Sequence, residues 1–246
     1  MDNTKLNNSD DYDQWHNTVH GQENLANIKL EQWHINALSL SPDLKGLKVL
    51  EVGCGVGDFA IHLSTQQAKV TAVDFSTKAI ELAVQKSKLQ TNSVQFQVAD
   101  AQSLPFENNS FDILFSCECL EHVPDPKLVL AEFQRVLKPA GKLVLTTENY
   151  SNAMVLYWLA CWLRKQPFNS GEYVQPIEHF FLYWNVRSMI NISGFRVEKI
   201  IGSHHVFLML PRLHPHTFVK EKFENPLAAS VFRPLARHMA FAAVKK

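Results

Sequence analysis

The segment Glu51-Val52-Gly53-Cys54-Gly55-Val56-Gly57-Asp58 places glycines at every second position directly after an apolar run. Without a Cβ, glycine lets the backbone turn sharply and approach a ligand closely. Such a turn also opens a helix, whose free N–H groups face whatever sits there. A dinucleotide fingerprint needs a third glycine three residues after the second, so that pyrophosphate can rest on the helix N-terminus. Asp58 holds that position, and Glu51 lies just ahead of the turn. Both acids repel pyrophosphate and suit a cationic or zwitterionic ligand. Asp74, with Phe75 beside it, closes the next β-branched run, where a carboxylate can accept both hydroxyls of a ribose. Asp100, followed by Ala101, closes the run after that and suits an exocyclic amine. Any one of these acids alone reads as a solvated strand end or a helix cap. Three of them on successive strands beside a glycine turn read as a binding crevice.

The elements that carry these residues alternate regularly. Strands are expected at Leu47–Val52, Val70–Val73, Val94–Val98, Phe111–Cys117 and Lys142–Thr146. Helices are expected at Phe59–Thr65, at Ser76–Leu89 with Ser76 as N-cap, and at Asp125–Leu137 with Pro126 in the first turn. Strands separated by helices of this length imply right-handed crossovers and a parallel sheet, so the fold class is α/β. A further helix, about Glu23 to Leu40, is expected before the first strand, following a polar stretch over residues 1–23. After Thr147 the rhythm changes. Residues 149–193 hold no clear strand, and Phe195–Ile201 and Met239–Val244 then read as two last strands flanking a Pro- and His-rich stretch.

The chain of 246 residues thus reads as one domain. Residues 1–45 form an N-terminal helical lid, 46–148 the binding core, 149–193 an inserted cap, and 194–246 the last two strands with their connecting loop. Lys and Arg number 24 against 24 Asp and Glu, which excludes a broad basic surface for nucleic acid. An apolar fraction of 46% excludes wholesale disorder. The longest apolar candidate for a membrane span, Ala153 to Leu163, is far short of the roughly 20 residues needed. A polar N-terminus without a secretory core, and four cysteines without the density of a disulfide framework, lead to the expectation of a reduced, cytoplasmic protein. The oligomeric state is left open.

The region from Leu47 to about Glu148 resembles the class I S-adenosylmethionine-dependent methyltransferases. The likeness rests on Val49–Gly57, Val70–Asp74, Ala99–Pro105, Ser110–Ile113, Glu121-His122-Val123 and Leu137–Gly141, in family order. It implies a Rossmann-like seven-stranded sheet with helices on both faces and an antiparallel last strand. It also implies S-adenosylmethionine as cofactor, with the Gly53–Gly57 turn, including Cys54 and Gly55, on the methionine moiety. Asp74 would then take the ribose hydroxyls, Asp100 and Ala101 the adenine, and Cys117 would line the methionine pocket through its backbone. Locally, Ser116 to Pro126 is most similar to the ubiquinone-biosynthesis O-methyltransferases. In that group a Glu-x-x-Glu-His arrangement, here Glu118, Glu121 and His122, is associated with a divalent metal. Whether a metal binds here stays open, because Glu-His-Val follows the strand in many metal-independent relatives.

His122, at the crevice, is the first candidate for a general base, and His179 in the inserted segment is the second. Ten aromatic residues crowd the cap: Tyr150, Tyr157, Trp158, Trp162, Phe168, Tyr173, Phe180, Phe181, Tyr183 and Trp184. Most of them are expected to form the cap's own small core, and a substantial remainder to line an apolar pocket for a hydrophobic acceptor. The expected activity is methyl transfer to a hydrophobic small molecule, with oxygen preferred to nitrogen or carbon. The alternatives are a metal-assisted O-methyltransferase of a catechol or quinone precursor, a natural-product N- or C-methyltransferase, a noncatalytic S-adenosylmethionine-binding module and an NAD-dependent oxidoreductase. Asp58 and Glu51 disfavour the last of these.

Overall fold

The computed structural model describes residues 8–21, 24–90, 93–151, 154–165, 177–205 and 233–246. Two helices come first, α1 (Ser9–His20) and α2 (Gln32–Leu40). Alternation then runs through β1 (Lys48–Val52), α3 (Asp58–Thr65), β2 (Lys69–Asp74), α4 (Thr77–Leu89), β3 (Gln95–Val98), β4 (Phe111–Cys117), α5 (Pro126–Val136) and β5 (Leu137–Glu148). Helices α6 (Met154–Leu163) and α7 (Tyr183–Ile192) follow, and strands β6 (Phe195–His205) and β7 (Ala236–Lys245) complete the order. The expected strands and core helices all form, within a few residues at their ends.

The seven strands lie in the order β3-β2-β1-β4-β5-β7-β6. Strands β1 to β5 pair in parallel, and β7 runs antiparallel to both β5 and β6. The strand order reverses between β1 and β4, and in open α/β sheets that switch point opens a crevice at the carboxyl ends of the strands. Period-2 alternation divides the core between the two faces. Leu50, Leu114, Leu143 and Leu145 pack with α5 and α7 on one side, and Val49, Ile113, Phe115 and Val144 pack with α2, α3 and α4 on the other. Because both faces are covered, β4 reads as a nearly continuous apolar run, Phe-Asp-Ile-Leu-Phe-Ser-Cys.

Local chemistry accounts for the helix starts. The Ser76 side chain accepts from Ala79 N, and Asp125 accepts from Lys127 N and Leu128 N ahead of Pro126. The N-terminal region corrects the expectation of one helix from Glu23 to Leu40. The helix begins only at Gln32, because Glu31 and His34 make a reciprocal cap in which Glu31 N donates to His34 Nδ1 at 3.1 Å. A separate helix, α1, forms within the stretch read only as polar. Its Tyr12, Trp15, His16 and Val19 fall at i, i+3, i+4 and i+7, one helical face. Much of the Pro- and His-rich stretch, together with Phe168 and Tyr173 and the side chain of Tyr157, lies outside the described residues.

Candidate active site

A cavity of about 760 Å³ opens at the switch point. Its wall takes in Glu51, Gly53, Cys54, Gly55, Asp74, Phe75, Asp100, Ala101, Cys117 and His122. Gly57 and His179, also expected at the site, are not on it. Gly57 acts behind the wall. At φ +83° it caps α3, and a Cβ there would lie 2.9 Å from Ala83 Cβ and from the Phe96 ring. It therefore lets α3 pack closely against α4 and β3. Gly53, at φ +78°, leaves room for Cys119, whose Cβ and Sγ stand 2.6 Å from where a Cβ would be.

The acids at the strand ends differ in their surroundings. Glu51 is 1% exposed, and its Oε2 has no hydrogen-bond partner. Burial, with Asp74 and Asp58 nearby, pushes its carboxyl well above the usual range. A buried acceptor in this state on a cavity wall fits a ligand that brings a positive charge. Asp58 does not share that role, contrary to expectation. Both of its oxygens accept from Lys86 Nζ at 2.9 Å, and Oδ1 also accepts from Lys29 N. Lys86 is itself 1% exposed, so the charge of Asp58 is neutralised from within the fold. Asp74 organises the turn: Oδ2 accepts from Gly55 N at 2.8 Å and Oδ1 from Ser76 N at 2.9 Å. Each carboxylate oxygen keeps a second lone pair, so Asp74 can also accept two ligand hydroxyls. Asp100 accepts from Gln102 N in the same way, at 2.8 Å. Cys54, Cys117 and Cys119 are free thiols with pKa values raised first by burial, so none is a reactive thiolate.

The other half of the cavity is lined by residues from β4, β5, β7 and the segments around them. Glu118, in a left-handed conformation at φ +48°, accepts from His238 Nδ1 at 3.2 Å. Glu121 accepts from the Thr147 hydroxyl at 2.9 Å. Burial pushes both carboxyls up to about 8, reinforced at Glu118 by Glu148 and at Glu121 by Glu118. Burial also works against the charge of Glu148, but Arg237, with Nη2 2.9 Å from Oε1, holds its carboxyl below the usual range. His238 is buried and neutral, lowered to about 4. Sequence reasoning missed Arg237 and His238, since nothing near them in the chain marks their distant partners. Of the Glu-x-x-Glu-His arrangement, Glu118 and Glu121 face each other, and the His122 ring turns its Nδ1 to the Ile177 carbonyl. Among the described residues no three His, Cys, Asp or Glu side chains are grouped to hold a metal ion.

His122 Nδ1 lies 2.7 Å from the Ile177 carbonyl, an acceptor only, so Nδ1 carries the proton and the lone pair is on Nε2. His179 Nε2 likewise donates to the Val123 carbonyl at 2.7 Å, and its backbone N donates to Glu121 O. His179 thus staples the inserted segment to the strand end, behind the cavity wall. The cap aromatics also depart from expectation. Among the described residues of the cap only Glu178 reaches the wall. Tyr150 stacks on Phe180 at 4.8 Å, Trp158 packs tilted against it at 5.3 Å, and Trp162 and Trp184 are exposed. The aromatic side chains that do face the cavity come from Tyr12, Trp15, Trp33 and Phe75 among others, placed there by α1, α2 and the β2 end.

The paired carboxyls have a consequence for stability. From pH 6.5 to 8 the folded chain holds protons on Glu118 and Glu121 that the unfolded chain has released, so stability falls as pH rises. Below pH 6.5, His34 and His238, both lowered to about 4 by burial, act in the opposite sense and offset the carboxyls. The melting temperature is expected to drop by roughly 5 °C between pH 6.5 and 8. In the Glu118→Gln, Glu121→Gln double variant the drop in the scanning-calorimetry midpoint should shrink across that interval, the remainder coming from Glu51, which burial also holds protonated.

Comparison with known proteins decides the family. Residues 50–145 match the family model described as a methyltransferase domain. Over 168 residues the chain is 31% identical to a ubiquinone biosynthesis O-methyltransferase of Coxiella burnetii, covering 66% of this chain and 69% of that protein. The chain belongs to the class I S-adenosylmethionine-dependent methyltransferases. This methyltransferase is also 35% identical over 136 residues to a demethylmenaquinone methyltransferase of Lactococcus lactis, covering 51% of this chain and 54% of that one. A crystal structure of an S-adenosylmethionine-dependent methyltransferase from Thermotoga maritima shares the fold, with a TM-score of 0.66 at 19% identity over 96% of this chain and 99% of that one. The methyltransferase is an enzyme whose cofactor is S-adenosylmethionine, and the cavity fits it. The buried, unpartnered Glu51 oxygen and the Gly53–Gly57 turn are the observations that decide the fit. None of the described helices is long and apolar enough to cross a membrane.

Proposed function

We propose that the enzyme methylates a hydroxyl oxygen of a neutral small molecule carrying a ring and further oxygens. The observation that carries this reading is the electrostatic state of the acceptor half. Glu118 and Glu121 are held protonated up to about pH 8, and Glu148 is paired with Arg237. Protonated carboxyls donate hydrogen bonds to hydroxyl or carbonyl oxygens, which suits an oxygenated acceptor. Trp33, on the same wall, lies 5.5 Å from the His238 ring and offers a flat apolar surface for the acceptor's ring. The two curated relatives described above are named for quinone-pathway methyl transfer, which agrees with an oxygenated ring as acceptor.

On this reading Glu51 accepts from the cofactor's ammonium, Asp74 from the ribose hydroxyls, and Asp100 with Ala101 contacts the adenine. Cys117 lines the pocket through its backbone, and Phe75 covers the nucleoside. S-adenosylmethionine, when bound, supplies an electrophilic methyl on a sulfonium. The protein's contribution is to exclude water, align the acceptor and receive its proton. His122 is placed for the proton, because the Ile177 carbonyl fixes its tautomer with Nε2 as acceptor. A matched set of ring compounds tests the reading: a hydroquinone, the corresponding aminophenol ether and a ring with an activated carbon. With labelled cofactor and mass spectrometry, the expected product is the aryl methyl ether. A methylated amine as the dominant product overturns the assignment.

A further inference from the structure

Hydrogen-bond accounting on the cofactor side leaves one ligand group without assigned partners. Glu51, Asp74 and Asp100 are all acceptors, suited to an ammonium, hydroxyls and an amine. The α-carboxylate of S-adenosylmethionine needs the opposite, N–H donors. The glycine turn has already committed most of its own. Gly53 N and Cys54 N both donate to Val73 O, at 2.9 and 3.0 Å. Gly55 N donates to Asp74 at 2.8 Å, and Gly57 N to Cys54 O at 2.9 Å.

Helix α1 presents donors at this position. Tyr12, Trp15 and His16 all lie on the cavity wall, on the one face of α1 described above. His16 is 6% exposed, and its Cε1 is 3.7 Å from where a Gly55 Cβ would stand. The imidazole is therefore packed over the tip of the turn. His16 Nδ1 and Trp15 Nε1 are both buried without a hydrogen-bond partner, and the two rings meet edge-on at 4.9 Å. A buried polar nitrogen left unpaired is costly, and two side by side are expected where a ligand group completes them. Other residues hold the helix in place. Tyr12 Oη donates to the His122 carbonyl at 2.7 Å, and Asp13 Oδ1 accepts from Ser76 Oγ at 2.5 Å and Lys78 N at 3.0 Å.

We propose that Trp15 Nε1–H and His16 Nδ1–H hold the α-carboxylate of S-adenosylmethionine, making α1 a working wall of the cofactor site. The proposal rests on the placement of the amino-acid end of the cofactor at the Gly53–Gly57 turn. Calorimetric titration of the full chain with two ligands tests it: S-adenosylhomocysteine, and methylthioadenosine, which keeps the nucleoside thioether and lacks the amino-acid end. Trp15→Phe retains an aromatic ring and removes the N–H; His16→Ala removes the imidazole. Each variant is expected to bind S-adenosylhomocysteine about tenfold more weakly, with methylthioadenosine affinity unchanged. Equal losses for both ligands would mean that the residues only seat the helix, and undiminished S-adenosylhomocysteine binding would mean that they touch nothing; either result overturns the proposal. Failure of the unaltered chain to bind either ligand would sink the placement of the cofactor itself, which separates the two claims.

Discussion

Replacing Asp74 with Ala is expected to weaken S-adenosylhomocysteine binding at least about a hundredfold, since hydrogen bonds to a charged group contribute roughly 1.5–3 kcal/mol each. Two losses combine. On the proposed placement of the cofactor, the carboxylate at the carboxyl end of β2 accepts two ribose hydroxyls, and it also accepts from the Gly55 and Ser76 amides that shape the turn and the start of α4. Asp74→Asn separates these contributions. The amide keeps one acceptor oxygen, so part of the turn geometry should survive while affinity stays well below that of the unaltered chain. Titration calorimetry measures the affinities, and the thermal midpoint reports whether the fold persists. A dissociation constant within threefold of the unaltered protein, in a folded Asp74→Ala variant, would remove Asp74 from the cofactor site.

His122→Ala is expected to lower kcat by about a hundredfold to ten-thousandfold, the range of a positioned general base. Affinity for S-adenosylhomocysteine should stay nearly unchanged. The expectation follows from the tautomer. With the Nδ1 proton committed to the Ile177 carbonyl, the imidazole points an acceptor nitrogen from the cavity wall. The same contact joins the strand end to the segment at Ile177, so the variant also loses some stability. Single-turnover rates compared with the thermal midpoint tell the two effects apart. A lower midpoint with an unchanged rate would leave His122 as a structural staple, like His179, and alignment alone would carry the reaction.

The crevice was legible in the sequence because its parts are local. A glycine turn must follow β1, and Glu51, Asp74 and Asp100 are fixed at strand ends by their positions in the chain. Right-handed crossovers then bring parallel strand ends to one edge whatever the details of packing. Seven strands and the antiparallel β7 followed from the same regularity together with the family resemblance. The N-terminal helix was less legible. Its apolar positions are few, and the capping exchange between Glu31 and His34 sets a boundary that hydrophobic periodicity does not show.

What a side chain meets across the fold was not open to local reading. Asp58 looked like a charge offered to a ligand, and Lys86, a whole helix away in the chain, had already neutralised it. Most cap aromatics read as the cap's own core and a remainder as pocket lining; the described ones pack on each other or face outward and none lines the cavity, because a small inserted segment must first bury its own apolar surface. Glu118 and His238 meet only because β7 comes back between β5 and β6. The sequence by itself determined the sheet, the turn and the acids that line the crevice, since these depend on spacing along the chain. Only the tertiary structure decided which charges remain available, which protons are held, and that α1 walls the cavity. Those outcomes depend on burial and on partners far away in the chain, and neither is encoded in local pattern.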